Sequence, residues 1–85
     1  MPPIIWDAFI ADRKLVIGYS SDFNDGDYTV QYGASSENLD KEFVTNARGM
    51  LSIDLNSEKE IFFKIKRNSD GKESNWSQIV KVTTN

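Results

Sequence analysis

The chain has 85 residues, of which 39% are hydrophobic, 27% charged and 12% aromatic, and its formal net charge is −3. Neither cysteine nor histidine occurs, which excludes the usual zinc sites, thiol nucleophiles and imidazole bases. This length corresponds to one small domain whose core leaves little room for an active-site cavity, so we expect a protein that is not an enzyme and needs no cofactor.

Short runs in which apolar and polar residues alternate follow one another along the chain, which is the pattern of half-buried β-strands. Segments rich in Gly, Asn, Asp and Ser separate these runs, and helical periodicity is not found. In chain order the predicted strands are 4–10, 14–19, 28–32, 42–45, 50–55, 61–66 and 76–83. Seven strands at this spacing predict an all-β fold, a seven-stranded antiparallel β-sandwich.

The alternation also predicts which residues are buried, because side chains at every second position of a strand share one face of the sheet. Trp76 is assigned to the core as well. Residues 4–10 do not alternate strictly, which predicts a bend or β-bulge in an edge strand. The other expected core residues are Leu15, Ile17, Tyr19, Leu51, Ile53 and Leu55 in one sheet, and Tyr28, Val30, Tyr32, Ile61, Phe63, Ile65, Val80 and Val82 in the other.

Four segments, in the right order, resemble a fibronectin type III domain over residues 3–84. They are Lys14-Leu15-Val16-Ile17-Gly18-Tyr19, then Tyr28-Thr29-Val30-Gln31-Tyr32, then Leu55, and finally Asn68-Ser69-Asp70-Gly71 through Trp76-Ser77. The resemblance implies an immunoglobulin-like Greek-key sandwich that occupies residues 1–85 as a single domain, with a core of about 3–84, within a larger protein.

Two features depart from the family pattern. Ile61 stands where the family has a tyrosine whose hydroxyl bonds to the preceding loop, so we expect that hydrogen bond to be missing. The connection 56–60 also lacks the proline and glycine that are usual there. These departures indicate a divergent member of bacterial or phage origin.

The segment Asp22-Phe23-Asn24-Asp25-Gly26-Asp27 combines carboxylates with a turn-forming glycine, a composition that can wrap a calcium ion. An EF-hand loop needs Gly at its sixth position and Glu at its twelfth, whereas counting from Asp22 places glycines at the fifth and twelfth positions. We therefore interpret the segment as a solvated loop between strands and expect no metal site.

Two tripeptides resemble recognition motifs. Arg48-Gly49-Met50 is similar to the Arg-Gly-Asp adhesion sequence of some fibronectin type III domains, but Met50 replaces the essential carboxylate. The preferred interpretation is a turn in which Gly49 has positive φ. Asn75-Trp76-Ser77 matches an N-glycosylation acceptor, yet the Trp-Ser pair of the family already accounts for these residues.

Two surfaces are candidates for binding. On the outward side of strand 61–66, Phe62, Lys64 and Lys66 predict an exposed aromatic ring among lysine side chains. At one end of the domain, the loops 20–27, 46–49 and 68–75 carry acidic residues such as Asp25 and Asp70, which suit a basic or polar partner. In both places the residues also fit an ordinary solvated surface.

These observations predict a non-catalytic spacer that positions adjacent domains of a larger extracellular or surface-exposed protein, such as a bacterial carbohydrate-active enzyme or a phage structural protein. The alternative is an adhesion module that binds a protein or a glycan through the two candidate surfaces. A glycan is the weaker choice, because Trp6 and Trp76 are each given a packing role rather than a stacking role.

Charge and hydropathy narrow the partners further. A sequence pI of about 4.8 argues against nucleic acid. No apolar run approaches the roughly 20 residues of a membrane-spanning helix, so membrane insertion is not expected. We expect the isolated domain to be monomeric.

Overall fold

The computed structural model describes residues 3–20, 26–56, 58–69 and 71–84. Within these ranges the chain contains no helix, and all of its strand pairs are antiparallel, which confirms the all-β prediction. The strands of the described residues are β1 (Ile5–Ala11), β2 (Lys14–Tyr19), β3 (Asp27–Gly33), β4 (Lys41–Thr45), β5 (Met50–Asp54), β6 (Glu60–Ser69), β7 (Lys72–Glu73) and β8 (Val80–Thr83).

The strands form two sheets. The first has the order β1-β2-β5, and the second has the order β4-β3-β6-β7, with β8 also paired to β6. The first six strands lie where the alternation predicts them, with a difference of at most one residue at every boundary except the end of β6, which lies three residues later. Strand β6 is the centre of the larger sheet, because it pairs with β3, β7 and β8.

The seventh predicted strand, 76–83, is only partly correct. Glu73 stands opposite Asn68 of β6, and Val80 stands opposite Phe63 of the same strand. The chain uses seven residues to go from Glu73 to Val80, whereas β6 spans the same stretch with five. Two extra residues are therefore accommodated between β7 and β8, and residues 74–79 are not part of either strand. The chain leaves the ladder there and returns to it at Val80.

Both sheets contribute to one hydrophobic core. Every residue of its buried cluster belongs to the predicted core, while Tyr32 and Val80 are partly buried against it. Period-two alternation identifies these residues because each strand presents one face to the core. The cluster consists of Leu15, Ile17, Tyr19, Tyr28, Val30, Leu51, Ile53, Leu55, Ile61, Phe63, Ile65 and Val82.

Trp76 does not belong to this cluster, contrary to the prediction. Continuous pairing would place it on the same side as Val80 and Val82. Instead, Ser77 is bonded to Ile65 through both its backbone N–H and its hydroxyl. This offset moves Trp76 to the other side of the sheet, because a one-residue slip inverts every side chain.

The predicted irregularity in the first strand is confirmed as a β-bulge in an edge strand. Ile5 pairs with Tyr19 and Asp7 pairs with Gly18, so Trp6 is the extra residue of β1. The bulge turns Trp6 away from the core, and 67% of its surface is exposed. The packing role predicted for Trp6 is therefore wrong.

Candidate functional site

The outer face of β6 is the surface on which the sequence places Phe62, Lys64 and Lys66. Phe62 is only half-buried rather than open to solvent, and Lys81 of β8 stands opposite it. The Nζ atom of Lys81 lies 6.0 Å from the centroid of the Phe62 ring. Residues directly opposite each other in an antiparallel pair share a face, so this lysine occupies part of the surroundings that were expected to be solvent.

An aromatic ring among lysines does occur on this face, but it belongs to Trp76. The Nζ atoms of Lys64 and Lys66 each lie 4.6 Å from the centroid of the Trp76 indole. At this separation an ammonium group is attracted by the negative face of the ring. Lys66 also forms an ion pair of 2.8 Å with Glu73, and only 17% of its side chain is exposed.

Two serines hold the Trp76 segment against β6. The Ser74 hydroxyl accepts a hydrogen bond from the Arg67 N–H at 2.9 Å, and the Ser77 hydroxyl accepts one from the Ile65 N–H at 3.0 Å. The N–H groups of the same serines donate to the carbonyls of Arg67 and Ile65 at 2.8 Å. Side-chain oxygens therefore satisfy backbone donors that a regular strand would have paired.

Replacing Ser77 with alanine should destabilise the domain, because it leaves the N–H of the buried Ile65 without its hydroxyl acceptor. We expect the free energy of unfolding to fall by about 1–2 kcal/mol, measured by urea denaturation followed by tryptophan fluorescence. Ser52→Ala is the matched control, since Ser52 is exposed on β5 and its hydroxyl has no hydrogen bond within the described residues. Equal stabilities of the two variants would contradict this role of Ser77.

Lys64, Lys66 and Trp76 therefore form a cation–π cluster that fastens the Trp76 segment to β6. Its ammonium groups face an indole, and one of them is also paired with a carboxylate. Neither the ring nor the lysines are presented as an open platform. The predicted site residues Phe62, Lys64 and Lys66 do share one face, whereas Asp25 and Asp70 lie outside the described residues.

At the loop end of the molecule, the structure describes the connection 46–49 but not residues 21–25. The Tyr19 hydroxyl donates a 2.6 Å hydrogen bond to the Ala47 carbonyl, and its ring centroid lies 4.6 Å from that of Tyr28. Arg48 reaches the same pair, with its guanidinium carbon 5.7 Å from the centre of the Tyr28 ring. Gly49 has a φ of 87°, which confirms the positive φ predicted for this residue.

This arrangement perturbs Tyr19. Burial, and to a smaller extent the neighbouring Tyr28, raise the pKa of Tyr19 to about 12 from its ordinary value of 10.0, while Arg48 opposes the shift. The group is therefore a neutral hydrogen-bond donor at physiological pH. Ile61 is a core residue. Tyr19, which lies at the opposite end of the sheets from Ile61, is a described tyrosine whose hydroxyl donates a hydrogen bond to a loop carbonyl.

In the part of the chain that the structure describes, no three His, Cys, Asp or Glu side chains form a group that could hold a metal ion. None of the described residues belongs to a helix long and apolar enough to cross a membrane.

The sequence matches no protein-family model and no curated protein.

Sequence reasoning missed the exposed residues at the bulge of β1. Trp6 and Asp7 both face the outside of the sheet, although they are consecutive in the chain. The available signal was the failure of residues 4–10 to alternate, combined with Gly18 in the neighbouring strand. Gly18 matters because a Cβ atom there would lie only 3.1 Å from Cδ1 of Trp6.

Proposed function

We propose that the chain is a fibronectin type III-like sandwich with an immunoglobulin-like Greek key, and that it serves as a non-catalytic positioning module. Its partners in this role are the adjacent domains of a larger extracellular or surface-exposed protein, such as a bacterial carbohydrate-active enzyme or a phage structural protein. The observation that carries the proposal is the location of the two ends of the described chain, which lie at opposite ends of the sheets.

The hydrogen bonds of the terminal residues define these locations. Ile4 is bonded through its N–H and its carbonyl to Ser20, directly after β2. The Thr84 N–H donates to the Lys59 carbonyl at 2.9 Å, directly before β6. Strand β3 starts beside the end of β2, as the Tyr19 and Tyr28 ring contact indicates, and β6 runs antiparallel to β3. The start of β6 is therefore at the far end from Ile4.

The domain measures 36 Å along its longest dimension, and a module whose two ends lie at opposite ends of its sheets would keep its neighbours apart. Two properties support a defined separation. Ile4 and Thr84, near the two ends of the described chain, are each hydrogen-bonded to the body of the domain, and one core joins both sheets. Flanking domains would then be held in a fixed relation, whereas a flexible linker would let them move independently.

The competing expectation, a binding module on the outer face of β6, receives less support. Its aromatic residue, Phe62, is half-buried, and Lys64 and Lys66 are engaged with Trp76. A partner at this face would have to compete with contacts that already stabilise the domain.

The positioning role can be tested by fusing the chain between two rigid reporter domains that carry one spin label each, and measuring the distance between the labels by pulsed electron paramagnetic resonance. We expect a narrow distance distribution. The control is a Gly/Ser linker of the same length, for which a root-mean-square span of about 50 Å and a broad distribution are expected. A distribution as broad as that of the control would exclude the positioning function.

A further inference from the structure

The outer face of the three-stranded sheet carries an exposed apolar patch that the positioning role does not use. The exposed fractions are 67% for Trp6, 62% for Met50 and 43% for Phe9. Such exposure of large apolar side chains is informative when they are contiguous rather than scattered. We call this surface the outer patch, defined by Trp6, Asp7, Phe9, Val16 and Met50.

The strand register places these residues side by side. Gly18 of β2 pairs with Asp7 on one side and Met50 on the other, so these positions form one row across the sheet. In the next row Phe9 pairs with Val16. Directly opposed residues share a face, and the bulge adds Trp6 to the first row.

Gly18 leaves the space in which the Trp6 indole packs against β2. A Cβ atom at this position would lie 3.1 Å from Cδ1 and 3.2 Å from Nε1 of Trp6, and 3.6 Å from Cβ of Asp7. Because glycine has no side chain, the Trp6 ring rests close to the backbone of β2. The ring is thus supported from below while most of its surface remains exposed.

The charge of the outer patch comes from Asp7. Within the described residues, its carboxylate has neither an ion pair nor a hydrogen bond. A cation at this place would be attracted both by the charge of the unpaired carboxylate and by the quadrupole of the neighbouring exposed indole. The formal net charge of −3 of the whole chain acts in the same direction at longer range.

We propose that the outer patch binds a protein partner that presents an arginine or lysine next to an apolar side chain. The cation would lie against Trp6 and pair with Asp7, while the apolar side chain would contact Phe9 and Met50. Tryptophan and methionine are enriched in protein interfaces, and buried tryptophans often dominate their binding energy. Apart from the Asp7 carboxylate, the side chains of the outer patch are aliphatic or aromatic. A glycan would need several polar groups to bond its hydroxyls, so a protein fits this surface better.

A random peptide library displayed on phage is the probe. We expect selection against the wild-type chain to enrich peptides that contain Arg or Lys beside an apolar residue. Binding of a selected synthetic peptide should fall at least about tenfold for Trp6→Ser, for the second variant Met50→Ser, and for Asp7→Asn, consistent with loss of an interface anchor. Circular dichroism verifies that each variant is folded.

Two controls separate the outer patch from general surface properties. Val44→Ser removes an apolar side chain that is 54% exposed on β4, in the other sheet. Asp54→Asn removes a carboxylate from β5 on the same face but opposite Lys14 rather than Gly18. Both controls should bind the peptide as the wild type does.

Several results would overturn the proposal. They are a selection that yields no peptide, enriched peptides without a cation, or peptides that bind Trp6→Ser and Met50→Ser normally. Binding of neutral oligosaccharides that is lost in Trp6→Ser would identify a glycan surface instead. A dimer seen by analytical ultracentrifugation and dissociated by Trp6→Ser would identify a second copy of this chain as the occupant.

Discussion

Replacing Phe63 with alanine is expected to lower the free energy of unfolding by about 3–5 kcal/mol, the cost of deleting a buried aromatic ring and leaving a cavity. Phe63 is completely buried and is among the largest buried side chains. It stands opposite Tyr32 on one side and Val80 on the other, so the strands on both sides are held by backbone ladders. The site therefore has little freedom to collapse into the space that the ring leaves.

A domain of this size has a total stability of roughly 4–13 kcal/mol, so Phe63→Ala removes a large part of it. Urea denaturation measures the loss. Phe63→Leu keeps most of the volume and should cost less than about 1.5 kcal/mol, while Val44→Ala, at an exposed position, should cost less than about 1 kcal/mol. Losses of the same size for Phe63→Ala and Val44→Ala would show that β6 is not the centre of the core.

The burial of Phe63 could be predicted from sequence because β6 is a regular strand between two neighbours. Its core residues Ile61, Phe63 and Ile65 recur at every second position, and Lys64 and Lys66 mark the opposite face as the outer one. The same reasoning locates most of the core, since each strand that contributes to it keeps the alternation. It requires only local information.

The two tryptophans could not be placed in this way, because each depends on a break in the period. At Trp6 the bulge adds one residue to β1, and at Trp76 the segment 74–79 leaves the ladder. Partners that are distant in sequence determine where the alternation is interrupted. Gly18 lies beneath the Trp6 ring, and the Ile65 N–H donates a hydrogen bond to the Ser77 hydroxyl. The outer patch, which carries the binding proposal, therefore lies where alternation predicts the structure poorly.

The Tyr19 hydroxyl provides a second large effect, at the loop end of the molecule. Tyr19→Phe removes the 2.6 Å hydrogen bond to the Ala47 carbonyl, a residue 28 positions away that connects β4 to β5. Since the rest of the ring keeps its place in the core, the expected loss is that of one buried hydrogen bond, about 1–2 kcal/mol at neutral pH. Thermal denaturation should show a decrease in Tm of about 4–16 °C.

The pH dependence of this loss distinguishes the hydroxyl from a simple packing defect. The pKa of Tyr19 is raised to about 12 in the folded protein from 10.0 in the unfolded chain. Below pH 10 both states keep the proton, and the wild type has its full advantage. Between pH 10 and 12 the unfolded chain releases the proton while the folded protein retains it, so the stability of the wild type falls by up to about 1.4 kcal/mol per pH unit.

The stability curves of the wild type and Tyr19→Phe should therefore converge above pH 10 and cross before pH 12, because this loss accumulates to more than the initial advantage of about 1–2 kcal/mol. Lysine and arginine titrations are common to both proteins and cancel in the difference. Tyr32→Phe is the matched control, since Tyr32 is half-buried and its hydroxyl has no hydrogen bond within the described residues. That variant should follow the wild type over the whole range. Curves of wild type and Tyr19→Phe that stay parallel up to pH 12 would mean that folding does not raise the pKa of Tyr19. The loss of stability at alkaline pH would then not come from the Tyr19 hydroxyl.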